Sequence, residues 1–208
     1  MIALVMFDAD GVLFDSTESN IAYYNAIFRE VGEPPLDPRE EISSISYAAE
    51  EMFIARARDD RAKLDRMKAV ARTLDGTAFF QMLKPPLELR PFLLELRRRY
   101  RLGLATNRSA TVPALVEHLN LGGVFDAIAS VNDRVAPKPA PDILQLCMER
   151  AGTLPEQSVY VGDSPIDRMA AIEAGTHFVA VGKRVEHDRQ VATIADLPAT
   201  LERLVADL

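Results

Sequence analysis

The apolar positions of the chain change their spacing twice, and the changes mark out its organisation. Residues 2–7, Ile-Ala-Leu-Val-Met-Phe, are an unbroken apolar run. A run of that length suits a strand buried on both faces of a parallel sheet. It stops at Asp8-Ala9-Asp10-Gly11, which sets two carboxylates at a strand's C-terminal end, where open α/β sheets bind ligands. Gly11 permits a turn, Val12-Leu13-Phe14 packs back, and Asp15-Ser16 opens a helix with Ser16 as its N-cap. Between Thr17 and Val31 the spacing turns helical, with Ile21, Tyr24, Phe28 and Val31 on one face. Gly32 ends that helix and Pro34-Pro35 prevent its return. Asp37-Pro38-Arg39-Glu40 reads as N-cap, first-position proline and capping-box glutamate. Helices are predicted over 38–44, 47–57, 60–74 and 77–83, the third carrying the stripe Leu64, Met67, Ala71 and Leu74. Residues 16–84 contain no strand pattern, so they read as an all-helical insertion with hinges near 14–17 and 83–88.

From Leu87 onward strands and helices alternate. Helices are predicted at Pro91–Tyr100, Thr111–Leu119, Asp142–Ala151 and Asp167–Ala174. Strands are predicted at Leu102–Ala105, Ala127–Ala129, Ser158–Val161 and Phe178–Val181, with a final helix in Ile194–Leu208. This alternation predicts a doubly wound, parallel, Rossmann-like α/β sheet carrying an inserted helical domain.

Composition narrows the classes. A chain of 208 residues with 48% hydrophobic content can bury one sizeable core and a small second lobe. No apolar run is long enough to span a bilayer, and the N-terminal run is too short for a signal peptide and lacks a basic lead-in. The single Cys147 allows no internal disulfide, which suits a reducing cytoplasm, and its helical spacing from Ile143 makes it a core thiol. A net charge of −7 argues against nucleic acid as the partner. An anionic substrate must then be held by local cations or a metal.

The polar residues at successive strand ends supply such a set: Asp8 and Asp10, Thr106 and Asn107, Lys138, and Asp163 with Asp167. All C-terminal ends of a parallel sheet lie on one edge, so these groups can converge. Each also has a purely structural reading. Thr106-Asn107 can cap a turn, Lys138 can be a solvated loop lysine, Asp163 a turn residue and Asp167 a helix N-cap. Together they make a complementary kit of carboxylates, hydroxyl, amide and ammonium. The flanking Pro137 and Pro139 stiffen the loop around Lys138.

Four stretches carry a family resemblance: Phe7-Asp8-Ala9-Asp10-Gly11-Val12-Leu13-Phe14-Asp15-Ser16, Ala105-Thr106-Asn107, Pro137-Lys138-Pro139 with Pro141-Asp142, and Val161-Gly162-Asp163-Ser164-Pro165-Ile166-Asp167. In order and spacing they resemble the four motifs of the haloacid dehalogenase superfamily, in its phosphoglycolate phosphatase and β-phosphoglucomutase-like branch. The resemblance implies a core of residues 1–15 and 85–208 and a helical cap of residues 16–84. It implies Asp8 as nucleophile, Asp10 as acid and base, and Mg²⁺ held by Asp8, the Asp10 carbonyl and Asp163, with Asp167 an outer or additional ligand. Thr106 and the Asn107 N–H would hold a phosphoryl oxygen, and Lys138 would offset the charge shared by Asp8 and the transferring group. Asp10 favours phosphoryl transfer over dehalogenation, which has no leaving alcohol to protonate. Asn20 stands where the mutase branch has a histidine, which favours a hydrolase.

The expected activity is therefore Mg²⁺-dependent hydrolysis of a small phosphorylated metabolite, by a cytoplasmic monomer or homodimer with no membrane or nucleic-acid partner. A phosphomutase and a catalytically silent binding protein on the same fold are the alternatives. For substrate selection the sequence offers the insertion's Arg56, Arg58, Arg61, Arg66 and Arg72, each more simply a solvated helix face, and the stretch Ser43–Tyr47. His118 and His177 read as structural and His187 as a surface-loop residue.

Overall fold

The computed structural model describes residues 1–45 and 47–207. The chain divides into two compact units, Met1–Phe14 with Pro85–Leu208, and Asp15–Lys84.

The first unit is built on a parallel sheet of order β3-β2-β1-β4-β5-β6. Its strands are β1 (Leu4–Phe7), β2 (Arg101–Thr106), β3 (Ala127–Ser130), β4 (Ser158–Gly162), β5 (His177–Val181) and β6 (Gln190–Val191). The chain winds outward through β2 and β3 on one side of β1, then returns to β4 on the other. That reversal creates a crevice beyond the C-terminal ends of β1 and β4. Leu4, Met6, Tyr160, Phe178 and Ala180 share one core cluster with helices α7 (Asp142–Ala151) and α8 (Pro165–Ala174). The alternate residues Val5, Phe7, Val159, Val161 and Val179 are equally buried and point to the opposite face. Burial on both faces is why β1 and β4 read as continuous apolar runs. Helices α5 (Leu89–Arg97), α6 (Val112–His118) and α9 (Leu197–Ala206) complete the unit. Cys147 on α7 is fully buried, and burial pushes its thiol up to about 12, so it is an inert core residue.

The second unit holds α1 (Thr17–Glu30), α2 (Pro38–Ser43), α3 (Ala49–Ala57), α4 (Arg61–Thr73) and a 3-10 turn at Gly76–Met82. Tyr24, Ile27, Phe28, Met52, Phe53 and Met67 form its core, with Leu64, Ala71 and Leu74 of the expected stripe packed against it. Asp37 caps α2 in the predicted capping box, accepting from the N–H groups of Arg39 and Glu40. Ser16 takes the N-cap position of α1 as expected, but its side chain makes no cap bond; the Asp15 carboxylate accepts the Thr17 N–H at 2.9 Å instead. One local expectation fails. Residues 76–82 form a 3-10 turn in place of the expected α-helix, nucleated by Asp75 accepting the Thr77 N–H. Among the described residues, no helix is long and apolar enough to cross a membrane.

Candidate active site

Asp8 follows the last residue of β1, and its N–H donates to the Val161 carbonyl at 2.9 Å, which keeps it in line with the sheet. The chain then turns through Gly11 at φ +75°. A Cβ there would lie 2.1 Å from Asp163 Oδ2, so the glycine admits the Asp163 carboxylate against the loop. Gly162 does the same on β4, where a Cβ would come within 2.4 Å of Asp167 Cβ. Both glycines thus let carboxylates from two elements crowd the end of β1.

Lys138 lies at the centre of this cluster with only 1% of its side chain exposed. Its Nζ donates to Asp167 Oδ1 and to the Tyr160 hydroxyl, each at 2.7 Å. Asp8 Oδ1 lies 2.9 Å from the same ammonium, within ion-pair range but outside hydrogen-bond geometry. Burial alone would lower the lysine's pKa, but the Asp167 and Asp8 carboxylates overcome that and hold it above its ordinary value. The Asn107 side chain clasps the Lys138 backbone, accepting its N–H at 2.8 Å and donating to its carbonyl at 3.1 Å. The Lys138–Pro139 peptide is cis.

Asp167 is saturated with donors. Besides Lys138, its Oδ1 accepts from Tyr160, and its Oδ2 accepts from the Asp163 and Ser164 N–H groups and the Ser164 hydroxyl. The Tyr160 hydroxyl proton is shared between Asp167 Oδ1 at 3.1 Å and the Ala105 carbonyl at 3.0 Å. Burial first, and then the charge of Asp167, keep that phenol well above its ordinary pKa.

Two arginines absent from the sequence reading complete the cluster. Arg108 grips Asp10 with two parallel bonds, Nε to Oδ2 and Nη2 to Oδ1, both 2.7 Å. Arg184 donates to Asp163 Oδ2 at 2.8 Å. Each had a positional signal: Arg108 follows Thr106-Asn107 directly, and Arg184 lies just past the C-terminal end of β5. Thr106 is buried, and its hydroxyl oxygen accepts the Arg108 N–H at 3.2 Å.

The structure therefore brings Asp8, Lys138, Asp163 and Asp167 into one buried cluster, with Thr106 and Asn107 beside it and the Asp10 carboxylate turned to Arg108. Asp8, Asp163 and Asp167 each offer an oxygen within 4.8 Å of the others. Asp8 Oδ1 and Asp163 Oδ1 are buried without a hydrogen bond. Burial raises Asp8 to about 8, with Lys138 opposing and Asp167, Asp10 and Asp163 adding to the rise. Asp163 is raised to about 7, again chiefly by burial and then by Asp167, with Arg184 opposing. Crowded, desolvated carboxylates with unbonded oxygens are the environment that a hard divalent cation relieves, so the residues fit such an ion.

Other residues singled out in the sequence fare differently. Arg56 is consumed internally, pairing with Glu40 at 3.0 Å, donating to the Pro34 and Pro35 carbonyls and lying 4.4 Å over the Phe28 ring. Asn20 donates to the Ser44 carbonyl at 3.0 Å and to the Ser16 hydroxyl at 3.3 Å. Of the stretch Ser43–Tyr47, Ser46 lies outside the described residues. His187 is half-buried rather than on a plain surface loop, its ring edge-on to Phe178 at 5.2 Å.

Comparison with known proteins agrees with this geometry. The family model described as haloacid dehalogenase-like hydrolase matches residues 5–181. A phosphoglycolate phosphatase of Pseudomonas putida is 30% identical over 197 residues, covering 90% of this chain and 72% of its own. The pyrophosphatase PpaX of Bacillus velezensis is 26% identical over 182 residues, covering 86% and 83%. Among solved structures, a subfamily IA hydrolase of the same superfamily from Geobacter sulfurreducens superposes with a TM-score of 0.74 at 27% identity, over 96% of each chain. CbbY from Rhodobacter sphaeroides, solved in complex with phosphate, gives a TM-score of 0.73 at 26% identity over 97% of this chain and all of its own. With its sheet order, its strand-end carboxylates and a family match running from β1 to β5, the chain belongs to the haloacid dehalogenase-like hydrolases.

Proposed function

We propose that the chain is a phosphatase that hydrolyses small phosphate monoesters through a phosphoryl group carried on Asp8. The observation that carries this is the Asp8 carboxylate, buried beside Lys138 with one oxygen hydrogen-bonded to nothing. Its two relatives named above as phosphatase and pyrophosphatase are hydrolases of phosphate compounds, which supports the same class here.

In the first step an Asp8 oxygen attacks phosphorus, the bond to the leaving oxygen breaks, and Asp10 delivers a proton to that oxygen. In the second, Asp10 takes a proton from water, the water oxygen attacks phosphorus, and the bond to Asp8 breaks to release phosphate. Lys138 offsets the negative charge that Asp8 and the phosphoryl group share, and Asp167 and Tyr160 hold it in place for that. The Thr106 hydroxyl and the Asn107 N–H hold phosphoryl oxygens, while the Asn107 side chain fixes the Lys138 backbone. Asp8, Asp163 and the Asp10 carbonyl would hold Mg²⁺, with Asp167 in the outer sphere because its oxygens are already engaged. When bound, that ion supplies charge neutralisation for an anionic nucleophile meeting an anionic phosphate. We assign the helical unit the role of substrate-selecting cap because it is inserted directly after the Asp8–Asp10 loop. Hydrolysis is favoured over mutase chemistry because Asn20 is committed to Ser44 and Ser16 and offers no imidazole.

The test is phosphate release from a panel of phosphorylated metabolites, with and without Mg²⁺. Mg²⁺-dependent release that disappears in Asp8→Asn supports the reading. Interconversion of sugar phosphates without release would replace it with the mutase.

A further inference from the structure

Arg184 stands just past the end of β5 and reaches into the cluster, donating to Asp163 Oδ2 at 2.8 Å. The two oxygens of Asp163 are therefore in different situations. Oδ2 is held by that guanidinium on one side and by the Gly11 turn on the other, 2.1 Å from where a Cβ would stand. Oδ1 is buried and, among the described residues, accepts no hydrogen bond. We propose that Arg184 is a positioning residue that leaves Asp163 one oxygen for a divalent cation and so sets the preference of the site for Mg²⁺ over Ca²⁺. The proposal rests on the metal assignment within the phosphatase reading above and names what gives that site its selectivity.

Three features support it. The chain around Arg184 is pinned. Gly182 makes the turn out of β5 at φ +72°, its N–H donates to the Val191 carbonyl of β6 at 2.9 Å, and Val185 is buried in the core cluster. The carboxylate end of the pair is sheltered, with Asp163 6% exposed against 31% for Arg184, and a charge-assisted bond to so desolvated an oxygen is strong. Asp167 cannot make up for the oxygen that Arg184 takes, because Lys138, Tyr160, Ser164 and the Asp163 N–H already engage both of its own.

Selectivity follows from the coordination habits of the two ions. Mg²⁺ is small, holds to octahedral geometry and keeps several waters, so a single oxygen from a carboxylate suffices. Ca²⁺ is larger, accepts more oxygens in looser geometry and gains from a carboxylate that offers both. A carboxylate with one oxygen bonded to arginine suits the first ion and denies the second its advantage. The charge of Arg184 does not itself discriminate, because it repels two dications alike. A proton displaced from the site likewise counts equally for both. The ratio of the two affinities therefore reports how many oxygens Asp163 presents, apart from charge and protonation.

The test is titration calorimetry of Mg²⁺ and of Ca²⁺ into the metal-free full chain at one fixed pH, for wild type, Arg184→Met and Arg184→Lys. Wild type should bind Mg²⁺ more tightly than Ca²⁺. Arg184→Met keeps the length of the side chain without its donors, and should shift the ratio of the two affinities toward Ca²⁺ by about tenfold, the size of a lost partner to a ligating carboxylate. Arg184→Lys keeps a charge and a donor and should restore most of the wild-type ratio. A ratio unchanged in Arg184→Met overturns the proposal. So does wild type that binds Ca²⁺ as tightly as Mg²⁺, a result that needs no variant to fold. An unchanged ratio beside Mg²⁺-dependent phosphate release overturns this proposal alone. If the ratio shifts while wild type releases no phosphate from any compound, the phosphatase reading fails and the role of Arg184 stands. Wild type that binds neither ion overturns the metal assignment and this proposal with it.

Discussion

Replacing Lys138 by methionine isolates the buried cation, because methionine fills a similar volume and removes only the charge and its donors. The lysine is 1% exposed and faces Asp8, 7% exposed, and Asp167, 0% exposed. Removing one member of a buried pair costs about 3–5 kcal/mol, because the remaining charge is left without compensation. Here the lower figure applies. Asp8 already sits near 8 and can take a proton, and Asp167 keeps donors from Tyr160, Ser164 and the Asp163 N–H. A loss of about 3 kcal/mol is a large share of a typical total of about 5–15. With a urea dependence of about 2 kcal/mol per molar, the midpoint should fall by about 1.5 M. The chain has no tryptophan, so far-UV circular dichroism is the probe, in chelator at pH 7. A midpoint shift below about 0.3 M at pH 7 would refute the reasoning, since it would mean that Lys138 is not held by these carboxylates.

Three further predictions come from the same cluster. Gly11→Ala places a Cβ 2.1 Å from Asp163 Oδ2 at φ +75°; it should cut kcat/KM about 100-fold by displacing Asp163, and unchanged kinetics would contradict the packing. Tyr160→Phe removes the hydroxyl that accepts from Lys138 and donates to Ala105 or Asp167; it should cost about 1–3 kcal/mol in urea unfolding and lower kcat more than it changes KM. Asp8 and Asp163 carry folded pKa values raised to about 8 and about 7, so the metal-free fold holds protons that the unfolded chain releases near pH 4. Its stability should therefore be greatest in acid relative to these groups and decline as pH rises through 7 and 8. Mg²⁺, which displaces those protons, should raise Tm more at pH 8 than at pH 6. A Tm in chelator that rises across that interval would contradict the sign.

The sheet was legible because its signal is cumulative. Continuous apolar runs at β1 and β4, flanked by turn residues and separated by helical spacing, admit few arrangements. The strand-end rule then located Asp8, Thr106, Lys138 and Asp163 from the sequence alone. Short β6, Gln190–Val191, gave no such signal, because two residues carry no periodicity. At the start of α1 the bond to the Thr17 N–H comes from Asp15 rather than from Ser16 at the N-cap, because two neighbouring residues can each accept there. Tyr160 looked like an ordinary core aromatic; that its hydroxyl reaches Lys138 depends on β4 lying beside β1, a relation between distant segments. The positions of Arg108 and Arg184 just past strand ends were too weak a signal to single them out, because arginine after a strand is common on solvated loops. Their partners, Asp10 and Asp163, lie 98 and 21 residues away in sequence.

The most direct test of the account is to look for the phosphoryl group on Asp8. Wild type is mixed with a substrate identified from the panel, quenched in acid within the first turnover, digested and mapped by mass spectrometry. The account predicts one added phosphoryl group on the N-terminal peptide, localised to Asp8, absent from Asp8→Asn and lost on incubation in water. Turnover with no label on the protein, a label on another residue, or full activity in Asp8→Asn would contradict it.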